Sequence, residues 1–262
     1  MPVGYRGAIF DVDGVLVDSP HERAWRETLQ LLMETDWRDV QPRTMYTPER
    51  FAPAVYQEVV AGKPRLSGAR ATLDYFGVPD AERRAEEHAD RKQRQVVELI
   101  GAGRFLAFPD ALRFILAVKD LGILLAAASS SKNAGLFLKQ IRLDEFAAEQ
   151  GLHYDLIEFG LTLQDIFDAD VTGRDFPQGK PHPMIFLTAA EELGVAPEDC
   201  FVVEDAISGV QAAKAGNMAA LGVARLDDEE LLHRAGADLV VTTLDDVFLD
   251  ALAGGPLERR SR

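Results

Sequence analysis

The chain has a single cysteine, Cys200, so it can close no internal disulfide and suits a reducing cytoplasm. Basic residues are also scarce: 28 Lys and Arg stand against 43 Asp and Glu, a formal net charge of −15. That balance argues against nucleic acid and against an anionic membrane as partner, since both are held mainly by basic patches. Small anions stay open, because a few cations in one cleft outweigh remote exposed charges that salt screens beyond ~8–10 Å. Long hydrophobic runs are missing. Nothing approaches the ~18 residues of a membrane span, and the longest candidate, residues 123–128, is strand-sized. The opening MPVGYRGAIFDVDG lacks the basic-then-apolar layout of a signal peptide. Glycine (21) and proline (13) are too few for a disordered, collagenous or low-complexity chain.

What the chain does have is the usage of an ordinary folded protein. Its 262 residues are 47% hydrophobic and 27% charged, against typical values of ~45–50% and ~25%. At one domain per ~150 residues this means one large or two modest domains, long enough to bury a core without staples. Residues 5–10 are a short apolar run broken by Asp11-Val12-Asp13-Gly14, which reads as strand, then loop. Ala24, Trp25, Leu29, Leu32 and Met33 recur near the helical period and predict a helix over 21–33. From 35 to about 106 the pattern is all helical, with helices predicted over 48–61, 67–76 and 80–100. The last is dense in both signs of charge, as in a solvated face whose ion pairs are worth only tenths of a kcal/mol each. After 108 the texture changes. Helices predicted over 109–120, 132–143, 181–193 and 207–215 alternate with strands over 122–129, 169–172, 200–203, 219–223 and 237–241. Near-continuous apolar strands alternating with helices predict an α/β fold built on a doubly wound parallel sheet. The expected organisation is an α/β core of residues 1–19 and 108–262, interrupted by an all-helical insertion over 20–107. Residues 148–168 fit no element.

In an open parallel sheet, ligands bind beyond the carboxyl ends of the strands. The residues expected there are Asp11 and Asp13; Ser129, Ser130, Ser131, Lys132 and Asn133; Lys180, just before a helix; and Glu204 with Asp205. Each alone has an ordinary structural explanation: an Asp after a strand is usually a turn former or helix cap, and a lone lysine is most often solvated. Their joint occurrence at successive strand ends changes the reading. Converging carboxylates repel unless a cation sits among them. Hard oxygen ligands with open positions suit magnesium, which usually takes one or two carboxylates plus substrate phosphate. Hydroxyls, a lysine and helix-terminal N–H groups at 129–133 suit the phosphate itself. The set predicts magnesium-assisted phosphoryl transfer, chemistry in which an aspartate can be the covalent nucleophile.

FDVDGVLVDS resembles the first motif of the haloacid dehalogenase superfamily of phosphotransferases, ILLAAASSSKN its second, GKPHPMIF its third and FVVEDAISGVQAAKAG its fourth. They stand in the family's order and span the α/β part of the chain. The resemblance implies a Rossmann-like core with an inserted helical cap. It implies Asp11 as nucleophile and Asp13 as general acid/base, with Lys180 neutralising the charge of nucleophile and phosphoryl group. Ser129 would bind the transferring phosphoryl group. Magnesium would be held by Asp11, by Asp13 through its backbone carbonyl, and by Asp205 with Glu204 beside it. An aspartate at position 13, rather than a smaller residue, implies phosphate chemistry and not dehalogenation.

Within that superfamily the chain is similar to the beta-phosphoglucomutase-like proteins. HERAW matches the start of their cap, where His21 and Trp25 would lie near the sugar. Gly62-Lys63-Pro64-Arg65 resembles the cap loop whose arginine, here Arg65, grips the substrate's distal phosphate. ADRKQRQVVELI resembles the cap helix whose lysine, here Lys92, reaches the site, and Ser131-Lys132-Asn133 matches a phosphate-binding run. Two catalytic readings follow: a phosphohexomutase, and a sugar-phosphate phosphatase using the same aspartyl-phosphate with water as acceptor. A non-catalytic phosphosugar-binding module is a third reading, against which the intact set Asp11, Asp13, Lys180 and Asp205 argues. The expected partner is a small phosphorylated sugar or similar metabolite. The oligomeric state stays open, a monomer being compatible.

Overall fold

Two periodicities, helical and strand-like, divide the chain into two kinds of structure. The protein is described from a computed structural model, which describes residues 4–60, 63 and 65–260. An α/β unit runs to Asp18 and resumes at Leu106, and a helical unit spans Ser19–Phe105. In the helical unit, α1 (His21–Glu34), α2 (Pro53–Val59), α3 (Arg65–Tyr75) and α4 (Ala81–Gly101) enclose a core of their own. The apolar stripe of α1 buries Ala24, Trp25, Leu29, Leu32 and Met33 as its spacing predicts. Despite its charge, α4 buries Ala85, His88, Ala89, Lys92, Val96, Leu99 and Ile100, the i, i+3, i+4, i+7 stripe of a core-facing helix.

The α/β unit contains β1 (Gly7–Phe10), β2 (Val17–Asp18), β3 (Leu106–Ala107), β4 (Leu124–Ala127), β5 (Ala169–Asp170), β6 (Cys200–Glu204), β7 (Ala219–Val223) and β8 (Leu239–Val241). Six of these form a parallel sheet in the order β5-β4-β1-β6-β7-β8, and β2 with β3 forms an antiparallel ribbon. Around them run α5 (Pro109–Asp120), α6 (Ala134–Gln140), α7 (Leu143–Gln150), α8 (Met184–Leu193), α9 (Ile207–Ala215), α10 (Glu229–Arg234) and α11 (Leu249–Leu252). The strands are almost wholly apolar because both faces are covered. On one face Ile9, Ala126, Val202 and Ala220 share a core with Phe186 and Val210. On the other, Phe10 and Phe201 each meet the ring of Phe114 edge-on. Register positions the site: Phe10 pairs with Ala127 and with Val203, so the strands on either side of β1 end level with it.

Several predicted elements are shorter or broken, each for a local reason. The helix expected over 132–143 divides into α6 and α7, because Arg142 leaves the helix to bridge Thr162. The stretch 148–168 completes α7 and then returns on itself: Leu143 N–H donates to the Leu161 carbonyl and Leu163 N–H to that of Ile141. The strand expected over 169–172 stops at Asp170, whose carboxylate accepts the N–H and hydroxyl of Thr172 and turns the chain. The helix expected over 48–61 is a 3₁₀ turn at Pro48–Arg50 followed by α2. Pro53, which has no N–H to give, begins the new helix rather than continuing one. The helix expected from 181 starts at Met184, whose N–H is taken by His182 Nδ1.

His88 gives the helical unit a pH dependence. It is fully buried, with Nε2 3.4 Å from the Trp25 carbonyl oxygen and its ring 4.9 Å from the Trp25 ring. Burial, with help from the Lys92 charge, pushes its pKa down to about 4 from an ordinary 6.5. Above pH 6.5 it is neutral folded or unfolded; below that, the unfolded chain takes up a proton that the folded site refuses. Stability should therefore fall as pH drops across this window, by up to about 3 kcal/mol. Trp25 and Trp37, the chain's two tryptophans, both lie in this unit and report its unfolding. Urea titrations followed by tryptophan fluorescence, from about pH 7 to about pH 4.5, should show a shallower loss for His88→Gln than for wild type. Parallel losses would show that another group sets the slope.

Candidate active site

β1 ends at Phe10 and delivers Asp11, whose N–H donates to the Val203 carbonyl at 3.1 Å. The next strand, β6, ends in Glu204 at the same level, and Lys180 enters from the segment before α8. Lys180 Nζ donates to Asp11 Oδ1 at 2.6 Å and also to Glu204 Oε1. The three side chains are 12%, 9% and 1% exposed, so this is a buried cation between two carboxylates. Glu204 uses its other oxygen to accept the Ala206 N–H at 3.0 Å, and the Lys180 ammonium lies 4.8 Å from the Phe186 ring centroid.

The charge balance of this site is short of cation. Burial above all, with Glu204 and Asp13 adding to it and Lys180 opposing it, pushes the Asp11 carboxyl up to about 7. Asp205 is likewise held well above the usual carboxylate range, by burial first and then by Glu204 and Asp11. Burial works against a charged Lys180, but Asp11 and Glu204 together hold it above the ordinary lysine range.

Two glycines make the crowding feasible. Gly14, at φ +88°, turns the chain after Asp13, and its N–H donates to the Val17 carbonyl at 2.8 Å. A Cβ there would lie 1.9 Å from Asp205 Oδ2, so the Asp205 carboxylate rests directly on Gly14. A Cβ on Gly209 would lie 1.9 Å from the Glu204 carboxyl, which packs on α9 in the same way. Among the described residues no group of three or more His, Cys, Asp or Glu side chains forms a ready-made metal centre. Magnesium needs none, since it commonly takes one or two carboxylates and fills its other positions with water and substrate oxygen. Hard oxygen donors, an excess of negative charge and a carboxylate cradled on Gly14 all fit that ion.

After β4, Ser129 is buried, its Oγ accepting the Ser131 N–H at 3.2 Å, and Ser131 Oγ accepts the Asn133 N–H at 3.3 Å. Asn133 is buried, whereas Ser130 is exposed. Lys132 is turned to Asp175, at 2.6 Å, and to the Gly173 carbonyl, at 2.7 Å. In the helical unit three of the four singled-out residues converge. Lys92 Nζ is 3.3 Å from His21 Nδ1 and 5.1 Å from the Trp25 ring centroid. Arg65 opens α3 and stands 3.8 Å from Asp90, with both side chains exposed. Gly62 and Pro64 of the expected cap loop lie outside the described residues. One neighbour of the site was not among the expected residues: Arg225, just past β7, reaches back to the carbonyls of Gly14 and Val15. It is a charged residue at a strand's carboxyl end, so the strand-end rule applied one strand further would have found it.

The model of the haloacid dehalogenase-like hydrolase family matches residues 5–217. The chain is 34% identical to the beta-phosphoglucomutase of Mycobacterium tuberculosis over 267 residues, covering 95% of this chain and 93% of that one. It is 30% identical over 237 residues to the phosphorylated carbohydrates phosphatase of Thermotoga maritima, covering 89% of this chain and 92% of that one. Among solved structures, the beta-phosphoglucomutase of Pyrococcus sp. strain ST 04 superimposes with a TM-score of 0.67 at 28% identity, over 95% of this chain and 98% of the other.

The glycine contacts give a direct check on the packing of the site. Gly14→Ala and Gly209→Ala should each cost about 1–3 kcal/mol, the usual range when atoms are forced into a filled space. Gly14→Ala should be the worse of the two because of its positive φ. Gly101→Ala, on the last turn of α4 with nothing within 4 Å, should be neutral or stabilising by up to about 1 kcal/mol. Thermal unfolding of the three variants tests the order. A neutral Gly209→Ala would mean that Glu204 moves freely and is not fixed by Lys180.

Proposed function

The chain belongs to the haloacid dehalogenase-like hydrolases, in their beta-phosphoglucomutase-like subfamily, and from that premise we propose that it is a phosphohexomutase working through an aspartyl-phosphate. The observation that carries this reading is the Lys180 bridge from Asp11 to Glu204, which leaves Asp11 at the head of β1 beside one cation and several carboxylates. In the proposed reaction Asp11 attacks phosphorus, the P–O bond to the sugar breaks, and Asp13 gives its proton to the departing sugar oxygen. Asp13 then takes a proton from the acceptor hydroxyl, which attacks the aspartyl-phosphate and frees Asp11. Lys180 holds the Asp11 carboxylate in place and offsets the charge of the incoming phosphoryl group. Ser129, Ser131 and Asn133 offer hydroxyl, amide and backbone donors to its oxygens. Asp11, the Asp13 carbonyl and Asp205 would hold magnesium, with Glu204 adjacent. When bound, that ion supplies charge neutralisation and orientation of the phosphoryl oxygens.

A mutase handles two phosphates and so needs two anion sites. We assign the second to Arg65, with Lys92, His21 and Trp25 of the same unit facing the sugar. The second reading, a sugar-phosphate phosphatase, is favoured by the similarity to the Thermotoga maritima phosphatase. It differs only in taking water as acceptor. The two separate on incubation with β-glucose 1-phosphate, magnesium and a trace of hexose bisphosphate, following glucose 6-phosphate and free phosphate separately. Glucose 6-phosphate without matching phosphate release supports the mutase; phosphate release alone establishes the phosphatase.

Asp11→Asn keeps the shape of the side chain but loses the charge that attacks phosphorus. It should fold and lose turnover by at least about 10⁴-fold, as removal of a covalent nucleophile does elsewhere. Appreciable activity in a clean preparation of this variant would remove Asp11 from the mechanism.

Arg65→Ala separates the two readings by a ratio. If Arg65 holds the phosphate that is not reacting, its loss should lower mutase turnover by about 100-fold or more, since remote binding energy supports the reacting centre. Hydrolysis of acetyl phosphate, which has no second phosphate, should change far less. Arg65→Lys should restore little, because an ammonium lacks the planar fork that matches two phosphate oxygens. Equal losses on both substrates would favour the phosphatase.

A further inference from the structure

Arg225 is not one of the groups assigned to substrate, yet its guanidinium is held on the first loop of the α/β unit by several directed contacts. Its guanidinium, 15% exposed, donates from Nη1 to Asp110 Oδ2 at 2.9 Å. Nε donates to the Gly14 carbonyl at 3.4 Å, Nη2 donates to the Val15 carbonyl at 3.3 Å, and the flat face lies 4.0 Å from the Phe108 ring centroid. Asp110 is fixed in turn. The same oxygen accepts the Leu244 N–H at 2.8 Å and the Thr243 hydroxyl at 3.1 Å.

The acceptors fall into two groups that the sequence keeps far apart. Gly14 and Val15 belong to the turn that begins at Asp11 and leads into β2. Phe108 and Asp110 follow β3 directly. Because Val17 pairs with Ala107 and the Phe108 N–H donates to the Leu16 carbonyl at 2.9 Å, Arg225 stands at the base of the β2–β3 ribbon. It ties the strand that leaves the α/β unit to the strand that returns. Within the turn, the backbone bonds converge on Val12 and Val17: Leu16 and Val17 N–H both go to the Val12 carbonyl, and Gly14 N–H goes to that of Val17. Val15 is fully buried, so its carbonyl needs a protein donor, and Arg225 provides one while also donating to the carbonyl of half-buried Gly14. A planar fork satisfies two carbonyls and a carboxylate together, which an ammonium on a flexible stem does not.

We propose that Arg225 is a positioning residue for the reaction. By holding the Gly14 and Val15 carbonyls it fixes the turn that carries Asp11 and Asp13, without itself touching substrate. The proposal rests on the assignment of Asp11 as nucleophile and Asp13 as acid/base. Displacement of a reacting group by about 1 Å can cost about 100-fold, so a slackened turn should appear in kcat. Substrate binding should be nearly unaffected.

The test measures phosphate release from acetyl phosphate, kcat and KM separately, in the full chain with magnesium, alongside thermal unfolding. Arg225→Gln and Arg225→Lys should each lower kcat by about 10–100-fold, with KM within about threefold. Asp110→Asn removes the ion pair but leaves the fork on both carbonyls. It should lose thermal stability comparably and keep kcat within about threefold. If Arg225→Gln does not fold, Arg225→Lys, which keeps a cation beside Asp110, carries the comparison. Equal kcat losses in Asp110→Asn and the Arg225 variants would reduce Arg225 to a structural ion pair and overturn the proposal. So would wild-type kcat in both Arg225 variants while Asp11→Asn is inert. An active Asp11→Asn would instead overturn the nucleophile assignment, whatever Arg225 does.

Discussion

Lys180 stands between Asp11 and Glu204 in a place nearly closed to water, and the surrounding structure is arranged to keep it there. A buried lysine is tolerable only when paired, and removing one partner of a buried ion pair costs roughly 3–5 kcal/mol. Glu204 is the more deeply buried of the two carboxylates and is also tied to the Ala206 N–H. It acts as the permanent counter-ion, and Asp11 is the partner with more freedom. That division suits the nucleophile role proposed for Asp11: were Asp11 to attack phosphorus, Glu204 would still pair the ammonium.

Everything that brings these groups together is backbone geometry. Parallel pairing of β1 with β4 and β6 in matching register ends three strands at one level, so Asp11, Ser129 and Glu204 follow within a residue or two of that level on adjacent strands. Gly14 and Gly209 then remove the atoms that would keep Asp205 and Glu204 at a distance. The site is therefore built from strand ends and missing side chains, and little of it depends on long flexible residues. Lys180 is the exception, and it is clamped at its charged end by two carboxylates and flanked by the Phe186 ring.

What could be read beforehand follows from this. Apolar strands stopping abruptly in polar residues are a local pattern, so Asp11, Ser129, Glu204 and Asp205 were visible in sequence, as were the alternation that makes the parallel sheet and the period that makes α1. What escaped depends on contacts between distant positions. The break between α6 and α7 exists because Arg142 pairs with Thr162, and nothing near residue 142 announces it. Arg225 is a lone arginine after a strand, and its partners are Gly14, Val15 and Asp110, all more than a hundred positions away. The buried stripe of α4 was masked by its charge, although Ala85, Ala89 and Val96 carry the period.

The arrangement also bears on how a chain of net charge −15 would accept the phosphorylated substrate proposed for it. At the sheet rim Asp11, Asp13, Glu204 and Asp205 outnumber Lys180, and Lys132 is engaged by Asp175 and the Gly173 carbonyl. Side-chain cations alone do not balance a phosphoryl group there, a deficit that the proposed magnesium, with hydroxyl and N–H donors, would make up. The helical unit is organised differently. Lys92 is buried against Trp25 and His21, its position set by packing. Among the described residues the ion-pair partner of Arg65 is Asp90, at 3.8 Å and exposed, and exposed pairs of this kind are worth about 0–1 kcal/mol. A phosphate offering two oxygens to the guanidinium makes a stronger, charge-assisted bond than that contact. Of Lys92 and Arg65, Arg65 is thus the one that exchanges partners at little cost, a property that the phosphate grip proposed for it would need if the phosphate is to be bound, turned and released.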